Sequence, residues 1–284
     1  MLWISDQWKD YEVLDASDGE RLERWGKYIL VRPDPQVIWS TPHSNPIWKK
    51  QDARYIRSST GGGHWSDHHL PERWQIKYRD YLTFNVKPMN FKHTGVFPEQ
   101  AANWDFIRER VASAGRPVRV LNLFAYSGGA TLAAAAGGAE VFHVDAAKGM
   151  VAWAKENAVA SGLADRPIHW IVDDCGKFIQ RELRRGAIIM DPPSYGRGPG
   201  GEIWKMETSF FPFLQQTAKL LTDDPLFVII NSYTTGLAPS AVSYASDVVF
   251  GPEHGGKTAA GELGLPVKES GLILPCGSTG RWTP

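Results

Sequence analysis

Asp191-Pro192-Pro193-Ser194-Tyr195 puts a lone carboxylate and two rigid rings directly after the apolar run Ala187-Ile188-Ile189-Met190. Proline has no N–H and a fixed φ. Asp191 and the Pro192 carbonyl would therefore stand as aimed hydrogen-bond acceptors at the end of a buried strand. An amino group on a base or an amide is a poor nucleophile because its lone pair is delocalised. Two acceptors on its N–H groups would draw that nitrogen towards a tetrahedral, reactive form, and Tyr195 would stack on a planar base. The plainer use of Asp191 is to cap the turn after the strand.

Other acids recur at the ends of apolar runs: Asp145 after Glu140-Val-Phe-His-Val144, and Asp173-Asp174 after Ile168-His-Trp-Ile-Val172. Upstream, Phe124-Ala125-Tyr126-Ser127-Gly128-Gly129 leads into an alanine-rich stretch. Glycines let a backbone approach a ligand closely, and a helix N-terminus offers free N–H donors. In a doubly wound sheet the ligand lies outside the carboxyl ends of the strands near the first βα turn, and an acid about 20 residues on takes the ribose hydroxyls. A dinucleotide would require G-x-G-x-x-G for its pyrophosphate, and no such pattern is present. A nucleoside cofactor without phosphate is the better match. The two thiols, Cys175 and Cys276, fit no common zinc spacing and no disulfide framework. His64-Trp-Ser-Asp67-His68-His69 has metal-capable side chains but no second cluster, so no metal is expected.

The elements that position these groups follow from the rhythm of the chain. Residues 1–96 hold seven of the twelve tryptophans and five of the eight histidines. Short β-rich pieces (11–14, 27–32, 36–39, 74–78 and 81–86) are separated there by turn residues such as Asp18-Gly19, which reads as a small antiparallel β module. From residue 97 onward, strand-like runs at 118–124, 140–145, 168–173, 186–190, 226–231, 247–250 and 271–275 alternate with helical stretches at 99–114, 130–136, 147–161 and 212–221. Runs buried on both faces and separated by helices predict a parallel sheet with right-handed crossovers. The expected domains are thus 1–96 and 97–284. Lys+Arg and Asp+Glu both number 31, so bulk charge demands no polyanion. The run Lys49–Arg57 would suit a nucleic-acid backbone or an edge strand charged against aggregation. Arg181, Arg184 and Arg185 read as the wet face of a helix. The N-terminal stretch carries acids and lysine where a signal peptide is apolar. No run approaches the ~20 apolar residues of a membrane span. A cytoplasmic protein without membrane contact is expected.

The ordered set Asn122-Leu-Phe-Ala-Tyr-Ser-Gly128, Asp145, Asp174 and Asp191-Pro-Pro-Ser-Tyr195 resembles class I S-adenosylmethionine-dependent methyltransferases. More narrowly it is similar to the bacterial family of 23S ribosomal RNA cytosine-5 and guanine methyltransferases, and His93-Thr-Gly-Val-Phe-Pro-Glu-Gln100 resembles that family's lead into its catalytic domain. The resemblance implies an α/β fold: a doubly wound, mostly parallel seven-stranded sheet with one antiparallel strand near the C-terminus, beside the N-terminal β module. It implies that Phe97, Gln100, Phe124, Ala125, Ser127 and Gly128 approach the methionine end of S-adenosylmethionine. Asp145 would take the ribose, and Asp174 with the backbone at Cys175 the adenine, while Asp191 borders the methyl group. Cytosine-5 members carry a nucleophilic cysteine after the fifth strand. Here Asn231-Ser-Tyr-Thr-Thr-Gly-Leu237 has no thiol, and only Cys276 remains as a candidate. Transfer to a nitrogen of an RNA base, ribosomal RNA in the first place, is therefore expected, with Asp191, Pro192 and Tyr195 at the reacting group. The alternatives are a cofactor-fold binding module without turnover, or a cytosine-5, small-molecule or protein methyltransferase.

Overall fold

The computed structural model describes residues 1–59, 62–66, 69–89, 91–181, 185–197 and 203–284. The chain divides into two compact units. One comprises Met1–Trp3, Ala102–Leu263 and Gly277–Pro284, and the other Ile4–Ala101 and Gly264–Cys276. The sequence boundary between residues 96 and 97 takes no account of the segments at 1–3 and 264–276.

The larger unit is a sheet with helical crossovers. Its strands are β1 (Arg119–Leu123), β2 (Glu140–Asp145), β3 (Ile168–Val172), β4 (Ala187–Met190), β5 (Phe227–Ser232), β6 (Lys257–Pro266) and β7 (Ile273–Thr283). Leu2–Ile4 adds an eighth strand at one edge, giving the order Leu2–Ile4, β6, β7, β5, β4, β1, β2, β3. Neighbours among β1 to β5 are parallel and β7 is antiparallel to β5. Central strands bury both faces, as a parallel sheet requires: every residue of β4 and β5 is buried. The helices are α1 (Ala101–Ala112), α2 (Gly129–Ala136), α3 (Lys148–Ala160), α4 (Cys175–Ile179), α5 (Met206–Ala218) and α6 (Pro239–His254). On α1, Trp104, Ile107 and Val111 recur at helical spacing and are buried. The core on one side of the sheet joins Leu121, Leu123, Val144, Ile188, Met190, Val228 and Ile230 to Phe178, Phe213 and Leu214 of the helices.

Two expectations for this unit are overturned. Residues 247–250 belong to α6, whose first turn begins at Pro239, a position where a missing N–H costs nothing. Arg185 is buried instead of lying on a wet helix face: its guanidinium carbon sits 4.0 Å from the Phe142 ring centroid, a cation–π contact. Arg181 pairs with Asp173, and Arg184 lies outside the described residues.

In the smaller unit Tyr11–Ser17, Glu20–Trp25 and Tyr28–Pro33 form an antiparallel meander. Its first turn, Asp18-Gly19, has φ of 53° and 78°, the two positive φ values that a two-residue type I′ hairpin demands. Ala53–Arg57 follows in parallel with Tyr28–Pro33 and Gly63–Trp65 closes the sheet, so Arg54 and Arg57 lie on an inner strand and not at the edge, while Lys49 and Lys50 end the short turn Pro46–Lys49 before it. A second hairpin joins Trp74–Tyr78 to Leu82–Val86. Residues 36–39 form no strand. Most tryptophans here are structural: the indole N–H groups of Trp8, Trp39, Trp48, Trp65 and Trp74 all donate within this unit. Beneath them lies a buried ionic group. Glu23 accepts from Arg32 through both oxygens at 2.5 and 2.7 Å and from the Tyr11 hydroxyl at 2.7 Å, and Arg21 lies 3.4 Å away.

Candidate active site

Strand register brings the predicted residues together. Leu123 on β1 is paired with Met190 on β4 and with Val144 on β2. The next residue of each strand is Phe124, Asp191 and Asp145, so the three stand side by side at the carboxyl end of the sheet. The strand order reverses between β1 and β4, which is the crevice where doubly wound sheets bind ligands.

The turn after β1, at the edge of that crevice, is sharply bent. Phe124 and Tyr126 have φ of 56° and 50° and Gly128 has 90°. The first two are strained for residues with a Cβ, at about 1–3 kcal/mol each, a cost that functional sites commonly carry. Three contacts hold the shape. The Ala125 N–H donates to the Val144 carbonyl at 3.1 Å and the Gly128 N–H to the Ala125 carbonyl at 3.0 Å. The Asn157 side chain on α3 donates to the Ser127 carbonyl at 2.9 Å. Gly128 also permits close packing, since a Cβ there would lie 3.0 Å from that of Ala154.

Asp145 is clamped by backbone. Its Oδ2 accepts from the Tyr126 N–H and its Oδ1 from the Ala147 N–H, both at 2.8 Å. Each oxygen keeps a second lone pair, a geometry suited to a vicinal diol. Burial raises its pKa above the ordinary aspartate value, and the two N–H donors pull back against that shift. Asp174 caps α4, its Oδ1 accepting from the Lys177 N–H at 2.9 Å. Cys175 is buried beneath the turn: its sulfur accepts from the Phe124 N–H at 3.2 Å and lies 3.8 Å from the Val144 carbonyl. Burial pushes its thiol well above the ordinary range, so this side chain braces the turn as a neutral group.

Below the turn, the Asn122 side chain donates to Thr131 Oγ1, which lies 2.9 Å from His143 Nδ1. Burial pushes the His143 pKa down to about 3, so the imidazole is neutral. A carboxylate at the Asn122 position, 3% exposed, would sit beside neutral partners; the amide avoids that buried charge.

The segment after β4 is anchored from several directions. The Asp191 N–H donates to the Leu123 carbonyl at 3.4 Å, and the Met206 N–H to the Ser194 carbonyl at 3.1 Å. The Thr234 hydroxyl donates to Ser194 Oγ at 2.8 Å. Asp191 is half-buried and Pro192 buried. Tyr195 opens a short hairpin, Tyr195–Arg197 with Ile203–Lys205, and is 52% exposed. Residues 198–202 lie outside the described residues. Sequence reading missed Trp204 on that hairpin, whose indole N–H donates to the Pro193 carbonyl at 2.6 Å. No motif spacing marks it.

Other predicted residues belong to the smaller unit. Phe97 and Gln100 lie in the smaller unit, on either end of the turn Pro98–Gln100, with the Phe97 ring 5.3 Å from His93. Cys276 lies there too, buried, with its thiol pushed up by burial. Of the metal-capable run, His64 sits in the strand Gly63–Trp65, while Asp67 and His68 lie outside the described residues.

Known proteins match this arrangement. A structure of a SAM-dependent methyltransferase from Agrobacterium tumefaciens superposes with a TM-score of 0.93 at 34% identity, covering 100% of this chain and 93% of that one. A ribosomal RNA large subunit methyltransferase K/L from Shewanella baltica is 33% identical over 129 residues, 45% of this chain and 17% of the relative. The same-named protein of Chromohalobacter salexigens is 31% identical over 170 residues, 57% of this chain and 21% of its own length. The chain thus spans about a fifth of these curated relatives. A family model for S-adenosylmethionine-dependent methyltransferases matches residues 39–235, more than half of the chain and all of the strand-end residues above, so the chain belongs to the S-adenosylmethionine-dependent methyltransferase family.

Proposed function

We propose that the protein methylates a nitrogen of an RNA base, ribosomal RNA in the first place. When bound, S-adenosylmethionine supplies an electrophilic methyl group. Asp145 accepts from the ribose hydroxyls, and Asp174 with the Cys175 backbone meets the adenine. Phe124, Ala125, Ser127 and Gly128 line the methionine end, with Phe97 and Gln100 assigned there by family resemblance. Asp191 and the Pro192 carbonyl take the two N–H groups of the acceptor amine, and Tyr195 stacks on its ring. In the in-line displacement the nitrogen lone pair forms the N–C bond as the methyl–sulfur bond breaks, releasing S-adenosylhomocysteine. The nitrogen loses one proton by way of Asp191 to solvent. Holding the nitrogen on axis supplies much of the rate.

The observation that carries this reading is the register: Met190, Leu123 and Val144 lie in one row across β4, β1 and β2, so Asp191 and Asp145 follow on either side of Phe124. The choice of nitrogen over carbon-5 rests on the thiols. Carbon-5 transfer needs a thiolate nucleophile, whereas both cysteines are buried with raised thiol pKa values. RNA as substrate draws on the names of the curated relatives. Lys49, Lys50 and Arg57 are exposed in the smaller unit and suit a phosphate backbone, so that unit is assigned RNA contact.

Tritium transfer from labelled S-adenosylmethionine into total RNA from cells lacking the protein tests the assignment. Asp191→Ala is expected to lower the single-turnover rate by at least about 100-fold, the scale of a lost positioning contact, while calorimetric affinity for S-adenosylhomocysteine stays within about threefold. Equal counts from variant and wild type would remove the role given to Asp191.

A further inference from the structure

We propose that Trp204 is a positioning residue for methyl transfer, tying the segment that holds the acceptor to the turn that faces the cofactor. This rests on the roles given above to Asp191 and Pro192. A turn is normally fixed by its own N–H groups, but Pro192 and Pro193 have none. The fixed φ of the two rings leaves the tilt of their carbonyls to the flanking anchors at Asp191 and Ser194 and to any donor that reaches the carbonyls from elsewhere. Trp204 is such a donor, with its indole N–H 2.6 Å from the Pro193 carbonyl.

The same indole touches the other side of the crevice. Its ring lies 5.5 Å from Phe124 and 5.3 Å, edge-on, from Phe213, and Phe124 is itself 5.6 Å from Phe213. Phe124 is one of the two residues held at positive φ in the cofactor-facing turn. Backbone pairing of Gly196 with Trp204 fixes the indole's own base. One side chain therefore holds a carbonyl adjacent to the acceptor site through a hydrogen bond and the strained Phe124 turn through ring packing. Displacing either by about 1 Å is enough to cost about 100-fold in an aligned displacement.

Trp204→Phe keeps a ring and removes the donor, and Trp204→His restores an N–H. With tritiated S-adenosylmethionine and RNA from the deletion strain, the Phe variant is expected to transfer about 10- to 100-fold more slowly in single turnover, with S-adenosylhomocysteine affinity within about threefold. The His variant should recover part of that rate. Amide exchange over 191–197 and 123–127 should quicken in the Phe variant while α3 and β5 remain protected. A Phe variant within about twofold of wild type in rate, or unchanged exchange in both segments, overturns the proposal. If Asp191→Ala proves fully active, the Asp191 reading fails, and the exchange result still decides Trp204.

Discussion

Asp145 is half-buried and Glu23 fully buried, and their surroundings move the two carboxylates in opposite directions. Burial raises Asp145, with only backbone N–H groups opposing. Its ionised form is the one that accepts from two hydroxyls. S-adenosylhomocysteine affinity should therefore hold at neutral pH and fall on acidification at a higher pH than an ordinary aspartate, near 3.9, would give. Calorimetry across roughly pH 4 to 7 reads this, and Asp145→Asn should weaken binding about 10- to 100-fold, with no remaining acid dependence from this site. Glu23 is also opposed by burial, but Arg32 and Arg21 outweigh it and hold the carboxyl at about 2. A depressed folded pKa contributes stability that is full above the unfolded value of about 4.3 and is lost as pH falls towards the folded one. Glu23→Gln leaves two buried guanidinium groups undercompensated, so it should destabilise by about 3–5 kcal/mol in urea titrations at neutral pH. An unchanged midpoint would show that the arginines find other partners.

Among the helices, α2 holds the most tightly enclosed glycine. A Cβ on Gly129, its first residue, would lie 2.5 Å from the Trp104 ring of α1. Gly129→Ala should therefore cost about 1–3 kcal/mol by overpacking, visible as a lower thermal midpoint with the helical signal retained. Much at this scale is legible in sequence. β1 to β5 and α1 to α3 fall where apolar runs and helical spacing put them, because each is buried in the way its own pattern demands. The exceptions have tertiary causes. Residues 247–250 are a β-branched run that α6 absorbs through the Pro239 start and a single buried stripe of Val242, Ser246 and Phe250. β6, Lys257-Thr-Ala-Ala-Gly-Glu-Leu-Gly-Leu-Pro266, has few of the residues that favour strands. Its state comes from lying between Leu2–Ile4 and β7, which no local window contains. The acids at the strand ends were readable because each follows an apolar run. Trp204 was not, because its importance comes from a carbonyl eleven residues away.

For the whole molecule, chain order and compact units do not coincide. The smaller unit takes in 264–276, where the Lys268 and Glu269 N–H groups donate to the Val13 and Leu14 carbonyls at 2.9 and 3.0 Å, and the Ser5 N–H donates to the Gly264 carbonyl at 3.0 Å. A fragment of residues 1–101 loses those partners and should melt broadly, or without a cooperative transition, by circular dichroism. A sharp transition matching that of the intact chain would show the C-terminal segment to be dispensable. Both thiols in the chain are buried. Dye chemistry aimed at sulfur should thus leave the native protein untouched, and Ile203→Cys, at a hairpin position 56% exposed, would place one fluorophore beside the acceptor loop. Binding of cofactor or RNA beside the Tyr195–Arg197 strand could then be read in solution from a single reporter, with no background to subtract.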